Sequence, residues 1–471
     1  MAGSSPARTV GAVPGSSAMA LGYHGLPAER MEYRGMSGPL SHHLGRFGVA
    51  ALMLLAGLAA LWPAADPRLP VVATAAIFVA SYAALALGRI PGLAVDRAGI
   101  ALVGACLMVA AGALTLEQAH AAIHLDTITL LLGMMIIVAT LRLSGFFALA
   151  NAWIMRRVHH PLALLAAITL VSGVSSAFLV NDAICLVLTP LVVELVVGLR
   201  RNPVPYLLAV AMASNVGSTA TITGNPQNIM IGGLSGIPYA RFAAELSPIA
   251  AFGLVAIVVL LALAFRREFL TRDRLRVEPV RVRVNRALVW RSLLATGALI
   301  ALFFAGQSPA KVAIILGGLL LLTRRMRSAR VYAEIDWSLL LMFAGLFIIV
   351  TGAERVLLTP EMVAGVAAWH LDRIPVLAGI TAVLSNIVSN VPAVLMLKPF
   401  IEALPDQAHA WLVVAMASTL AGNFTVLGSI ANLIVVEKAA RRGVAIGFWD
   451  YARIGMPLTF VTLAFGIWWL G

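Results

Sequence analysis

From residue 47 onward, long apolar runs alternate with short polar breaks. Runs near 47–63, 70–88, 98–116, 127–147, 204–232, 246–265, 290–306, 309–323, 337–352, 411–436 and 450–470 approach or exceed the length a helix needs to cross a bilayer. They predict eleven transmembrane spans. Two further stretches, 162–198 and 374–402, are apolar but interrupted in the middle by polar residues. Each is too long for one simple span and too short for two spans with a loop. Each therefore predicts a re-entrant hairpin, entering and leaving on the same side. Such backbone is tolerated at membrane depth only where it packs on protein or lines a cavity. The expected fold class is an all-α polytopic membrane protein, with about 11 transmembrane helices plus two re-entrant hairpins in two inverted-topology repeats.

Composition agrees with the pattern. Of the 471 residues, 61% are hydrophobic and 12% charged, against about 45–50% and about 25% in soluble domains. A soluble enzyme, a disordered chain and a fibrous protein are excluded. The formal net charge of +13 comes from 34 Lys+Arg against 21 Asp+Glu. In so apolar a chain it reads as cytoplasmic loop charge rather than a nucleic-acid surface. With the N-terminus in the cytoplasm, 28 of the 34 basic residues fall inside and 6 outside. That places the C-terminus outside and the protein in the cytoplasmic (inner) membrane. Arg97 and Arg142 count as inside in this scheme. Residues 1–46 are rich in Gly, Ser, Pro and Arg and read as a flexible cytoplasmic tail. Cys106 and Cys185 both fall in apolar runs, so both are expected to be buried and neither forms part of a disulfide framework.

Self-similarity is the most informative feature. AMASNVGSTATITGNPQNIMI from Ala211 returns as AMASTLAGNFTVLGSIANLIV from Ala415. An offset of 204 pairs Ser214 with Ser418, Thr221 with Thr425, Gly224 with Gly428 and Asn228 with Asn432. SAFLVNDAICLVLTP from Ser176 returns as SNIVSNVPAVLMLKP from Ser385, pairing Asn181 with Asn390 and Pro190 with Pro399. DTITLLLGMMII from Asp126 loosely echoes DWSLLLMFAGLFII from Asp336. The expected organisation is a tail at 1–46, an extra helix at 47–69, repeat 1 at 70–265 and repeat 2 at 292–471. A basic cytoplasmic linker at 266–291 joins the repeats. They begin on opposite sides of the membrane by charge, which is the arrangement of alternating-access carriers.

The candidate chemistry lies where the repeats are polar. Asn181 and Asn390 mark the hairpin tips, and Asn favours a helix N-cap. A helix N-terminus at membrane depth offers free N–H groups and partial positive charge to an anion. The bland reading is a Ser/Asn kink packed on its neighbours. The stretches 214–228 and 418–432 hold Ser214, Asn215, Thr221, Gly224 and Asn228, then Ser418, Thr425, Gly428 and Asn432. They suit an unwound segment whose carbonyls bind a cation, or a packing seam of small residues. Asp182 is an acid beside a tip, able to hold a proton or cation or to cap the next helix. Its partner position is Val391, so no second acid matches it there, which argues against an intramembrane aspartyl protease. Lys398 either attracts an anion or snorkels to the interface. Glu194 and Glu402 read as interfacial. His120 and His124 stand four apart beside Glu117, yet no third strong ligand follows, and no resident metal is expected. No Walker-type motif and no HExxH occurs. The chain reads as a transporter rather than an enzyme.

These tips and Gly-containing segments resemble the ion transporter superfamily across about 70–465. That group includes divalent anion/sodium symporters, citrate-transporter-like permeases, arsenical pump membrane proteins and a sodium/proton antiporter branch. In the symporters a Ser-Asn-Thr tip in each hairpin helps form the sodium and substrate sites. Here the tips read Val180-Asn181-Asp182 and Ser389-Asn390-Val391, with Ser176 and Ser385 five positions before each Asn. The run NDAICLVLTP is similar to the arsenical pump branch. An ionised Asp182 would repel a dicarboxylate. The resemblance implies a scaffold that dimerises and a transport domain holding the hairpins. It implies a secondary carrier for a small anion or an oxyacid such as arsenite, with no cofactor and with Na+ or H+ as coupling ion. Transported Na+ would sit near Ser176, Asn181 and Gly224 and near Ser385, Asn390 and Gly428. The rival within the superfamily is a Na+/H+ antiporter without anion cargo. Expected partners are the lipid bilayer, the solute and a second copy of the chain, with no nucleic acid. An ATPase partner is left open.

Overall fold

The computed structural model describes residues 69–87, 95–271, 275, 284–323, 326–357 and 369–471. The tail at 1–46, the span at 47–63 with the extra helix it begins, and residues 272–274 and 276–283 of the 266–291 linker lie outside the described residues. All described residues belong to one compact unit, Gly45–Gly471. Among them the secondary structure is helical throughout. Seven helices are long and apolar enough to cross a membrane: Leu125–Leu143, Pro161–Phe178, Asn181–Gly198, Tyr239–Ala264, Arg286–Phe304, Trp337–Leu357 and Phe448–Leu470. Shorter apolar helices accompany them at Val71–Leu87, Arg97–Ala110, Pro309–Leu321 and Ile374–Val388. Val79, Val255, Val259, Leu294, Ile315, Leu319 and Phe460 are exposed on these helices. Apolar side chains turned outward in such number suit a lipid solvent. The chain is an integral membrane protein.

Helix starts follow local chemistry. Pro161, Pro203, Pro226, Pro309 and Pro375 stand in first turns, where the missing N–H costs nothing and the fixed φ suits the helix. Two small helices, Leu116–Ala122 and Phe146–Arg157, stand where the sequence pattern predicts loops. The first begins at a capping box of Thr115 and Gln118, a local signal that hydropathy runs do not register. The same box places Glu117 and His120 on that helix. His124 lies beyond its end, where its Nδ1 contacts Thr127 Oγ1 at 2.8 Å.

The order of elements repeats. Leu69–Leu87, Arg97–Ala110 and Leu125–Leu143 correspond to Arg286–Phe304, Pro309–Leu321 and Trp337–Leu357. One helix pair follows in each half: Pro161–Phe178 with Asn181–Gly198, and Ile374–Val388 with Asn390–Glu402. Next come the broken helices, Pro203–Ser218 with Pro226–Ser235 and Gln407–Ala421 with Ile430–Ala440. Tyr239–Ala264 and Phe448–Leu470 close the halves. Prolines inside helices match as well, Pro190 with Pro399 and Pro248 with Pro457. Packing exchanges the halves. Arg97–Ala110 packs on Trp337–Leu357 and Pro309–Leu321 on Leu125–Leu143. Asn181–Gly198 packs on Ile430–Ala440, and Asn390–Glu402 on Pro226–Ser235. Each half is thus completed by the other.

Cys185 is buried as expected, but Cys106 is exposed. An apolar run does not say which helix face meets lipid, and Cys106 lies on the outer one.

Candidate functional site

The first hairpin reverses at Leu179 and Val180, both outside helical φ/ψ. Both its arms lie on Pro203–Ser218. A Cβ on Gly217 would come within 2.1 Å of the Gly173 carbonyl oxygen, so the first arm and that helix touch backbone to backbone. The second arm places Cys185 Sγ 2.9 Å from Ser214 Oγ. The second hairpin turns at Ser389, whose φ is +79°. A side-chain-bearing residue there is strained, a feature that clusters at functional sites.

The sequence pattern suggests Asn181 and Asn390 as caps. Instead each is the first residue inside its helix, and neither helix start has a side-chain cap. The Asn181 backbone N–H donates to the Gly224 carbonyl at 2.9 Å, and its Nδ2 donates to Asn215 Oδ1 at 3.1 Å. The side chain thus reaches across the site instead of capping its own helix, whose first N–H is met by the Gly224 carbonyl. Asp182 supplies no cap either.

The two broken helices unwind at 219–225 and 422–429, where Gly and small polar residues accumulate. A Cβ on Gly224 would fall 2.2 Å from the Ser218 carbonyl oxygen, so this turn requires glycine. Matched asparagines hold the breaks in the same way. Asn228 Nδ2 donates to the carbonyls of Ser218 and Thr221, both at 3.1 Å. Asn432 Nδ2 donates to those of Gly422 at 2.7 Å and Thr425 at 3.1 Å. Each Asn then accepts from the opposite half: Asn432 Oδ1 from Asn215 Nδ2 at 3.0 Å, and Asn228 Oδ1 from Thr419 Oγ1 at 3.4 Å. Asn215 and Thr419 are themselves partners at the offset of 204.

Asn215 is the most connected side chain of the site. Besides Asn432, its Nδ2 donates to Asn423 Oδ1 at 2.9 Å. Its Oδ1 accepts from Asn181 Nδ2 and from Ser429 Oγ, each at 3.1 Å. All four hydrogen-bonding positions of the amide are filled, tying the first tip to the second broken helix. Thr419 Oγ1 accepts from Asn225 Nδ2 at 3.1 Å and Gln227 Nε2 at 3.2 Å.

A narrow cleft opens between the tips. Asn181, Asp182, Ser389 and Asn390 line it together with Arg97, Pro226, Gln227, Ser429 and Ile430. It has water-sized room over about 30 Å³, space for one or two waters or small ions. Helices begin at Arg97, Asn181, Pro226, Asn390 and Ile430. Five helix N-termini therefore converge on one cleft, each adding partial positive charge. Asp182 also lines a second cleft of about 120 Å³, together with Asp336 and the ion-paired Arg142 and Glu334. Sequence order hid this neighbour: the acid near Asp182 comes from the second half, but from the helix start at 336 rather than from the matched tip.

Buried oxygens recur in matched pairs. Ser172 and Thr381, Ser176 and Ser385, and the Oδ1 atoms of Asn181 and Asn390 have no hydrogen-bond partner among the described residues. The pairs sit 209 residues apart. Helical Ser and Thr commonly bond back to a carbonyl one turn earlier; these do not. Oxygen donors without partners suit a hard cation such as Na+.

The remaining residues singled out in the sequence have local roles. Ser214 and Ser418 donate back into their own helix, to Ala211 and Ala415. Thr221 Oγ1 donates to the Ala177 carbonyl. The Gly428 N–H donates to the Thr425 carbonyl at 3.1 Å. Lys398 pairs with Glu354 at 3.1 Å, with Glu402 3.9 Å away. Glu194 faces Arg442 at 3.7 Å. Asn225, Gln227, Thr419, Asn423 and Ser429 join the site without being marked by the repeat pairing, although all fall in or beside the unwound stretches. Arg97, loop charge by the topology count, joins it as well. A chain cannot show which first-turn residue faces a cleft.

A family model described as citrate transporter matches residues 82–421. The chain belongs to the citrate transporter family. Several relatives are named as transporters. An uncharacterized transporter of Mycobacterium tuberculosis (strain ATCC 25618 / H37Rv) is 30% identical, over 82% of this chain and 95% of its own length. The silicon efflux transporter LSI3 of Oryza sativa subsp. japonica is 27% identical, over 80% of this chain and 93% of its own. Among solved structures, the YdaH transporter of Alcanivorax borkumensis matches with a TM-score of 0.57 at 14% identity, over 85% of this chain and 97% of that one. It shares the fold alone. Membership bears out the resemblance to the ion transporter superfamily, and this member of the citrate transporter family is a membrane transporter.

Proposed function

We propose that the chain is a secondary active carrier that moves a small anion or oxyacid by alternating access, coupled to Na+ or H+. One observation carries this reading: helix N-termini from both halves converge on the cleft between two matched tips. A site built twice from related segments has two arrangements of similar energy, which alternating access requires. The paired unpartnered oxygens supply two places for Na+, and Asp182 supplies one for a proton. The two halves act as inverted repeats with re-entrant hairpins at 162–198 and 374–402. The family's description and the rice relative's name make citrate and silicic acid the first solutes to test.

Asp182 favours a second reading. Its matched position holds Val391, so one half carries a titratable group and the other does not, as a Na+/H+ antiporter would use.

Flux into proteoliposomes tests both readings. Citrate, silicic acid, arsenite, phosphate or sulfate should move when a Na+ or pH gradient is imposed. Asn181→Ala and Asn390→Ala should each reduce that flux by at least about tenfold, since each removes a group facing the solute. Proton exchange for Na+ with no solute movement supports the antiporter. Solute flux indifferent to both gradients contradicts both.

A further inference from the structure

Resting on the carrier reading, we propose that Arg97 is the charge-selecting residue of the central cleft, holding the solute there as an oxyanion through its guanidinium fork. Arg97 is half-buried and lines the cleft together with Asn181 and Asn390. Its side chain makes no ion pair or hydrogen bond among the described residues. Three other half-buried cations are paired, Arg142 with Glu334, Arg201 with Glu268 and Lys398 with Glu354, while Lys438, half-buried on Ile430–Ala440, lies away from the cleft lining. A cation left unpaired in a low-dielectric site is costly, and the cost vanishes when an anion docks.

The position is unfavourable on helix grounds alone. Arg97 is the first residue of its helix, where the dipole repels a cation. Asp96 caps that helix at the Gly99 N–H, 2.9 Å away, but is itself exposed. A bound oxyanion would be stabilised at once by the guanidinium and by the partial positive charge of the helix starts at Asn181 and Asn390, which have no side-chain cap. Arg presents two parallel N–H groups to a carboxylate or phosphate, which Lys does not. Charge bookkeeping then links solute to ion. Among the described residues the cleft lining holds one cation, Arg97, and one acid, Asp182. A docked anion leaves it negative unless a proton or Na+ neutralises Asp182.

The test is binding by the purified full chain. Its thermal unfolding is followed at matched ionic strength in chloride, citrate and phosphate, and separately with silicic acid, which is neutral at pH 7. Citrate or phosphate should raise the unfolding midpoint of the wild type above that in chloride. Arg97→Gln should weaken the apparent affinity at least about tenfold. Arg97→Lys should fall between, and it carries the comparison alone if the Gln variant does not fold. Three results would overturn the assignment: no oxyanion stabilises the wild type, Arg97→Gln binds oxyanions as the wild type does, or silicic acid alone stabilises both. Binding that depends on Arg97 without gradient-driven flux would sink the carrier reading and leave the anion site standing.

Discussion

At the residue scale, chemically similar side chains divide into braces and open groups. Asn215 has all four positions filled and is buried. Asn181 is just as buried, yet its Oδ1 has no partner. Replacing Asn215 by Ala strands Asn181 Nδ2 and Ser429 Oγ in the interior. Each buried group left unsatisfied costs about 1–3 kcal/mol. Asn215→Ala should therefore lower the unfolding midpoint in detergent clearly, whereas Asn181→Ala should lower it little while removing transport. Equal midpoints for the two variants would contradict the division. The sequence marks both asparagines as notable and cannot tell them apart. The difference lies in what each amide meets across the fold, and Asn215's partners Asn423, Ser429 and Asn432 stand more than 200 positions away. Arg97 was illegible for the same reason: a first-turn arginine reads as loop charge until the cleft beside it is seen.

At the element scale, polarity inside apolar runs was readable. A hydrophobic stretch broken by Ser and Asn has to turn, and the breaks fall at Leu179–Val180 and Ser389. The runs at 204–232 and 411–436 resolve into broken helices because Gly224, Pro226 and Gly428 stop a continuous ladder. How closely the elements pack was not readable. Gly217 sits where Pro161–Phe178 and Pro203–Ser218 meet backbone to backbone. An Ala methyl there meets a carbonyl rather than a flexible side chain, so the helices must part. Overpacking of this kind costs about 1–3 kcal/mol. Gly217→Ala should lower the midpoint by that amount and displace the first tip, reducing flux as well. A variant with wild-type stability and flux would show that the close approach is not required.

At the scale of the whole molecule, repetition is the organising fact. The two offsets read from the sequence, 204 and 209, reappear as matched hydrogen bonds at Asn228 and Asn432 and as matched unpartnered oxygens. The exchanged packing of the halves was not visible in the chain, because sequence similarity says which segments correspond and not which ones touch. Where the halves differ, Asp182 against Val391, the asymmetry supplies the coupling group of the proposed cycle. The central claim is that solute movement is driven by an ion gradient through this one cleft. The most direct measurement is accumulation in proteoliposomes. With citrate, phosphate or silicic acid equal on both sides at the start, an imposed Na+ or pH gradient should drive one solute uphill, and collapsing the gradient with an ionophore should release it. Equilibration without accumulation, at a rate that no gradient alters, would contradict the account and make the protein a passive pore.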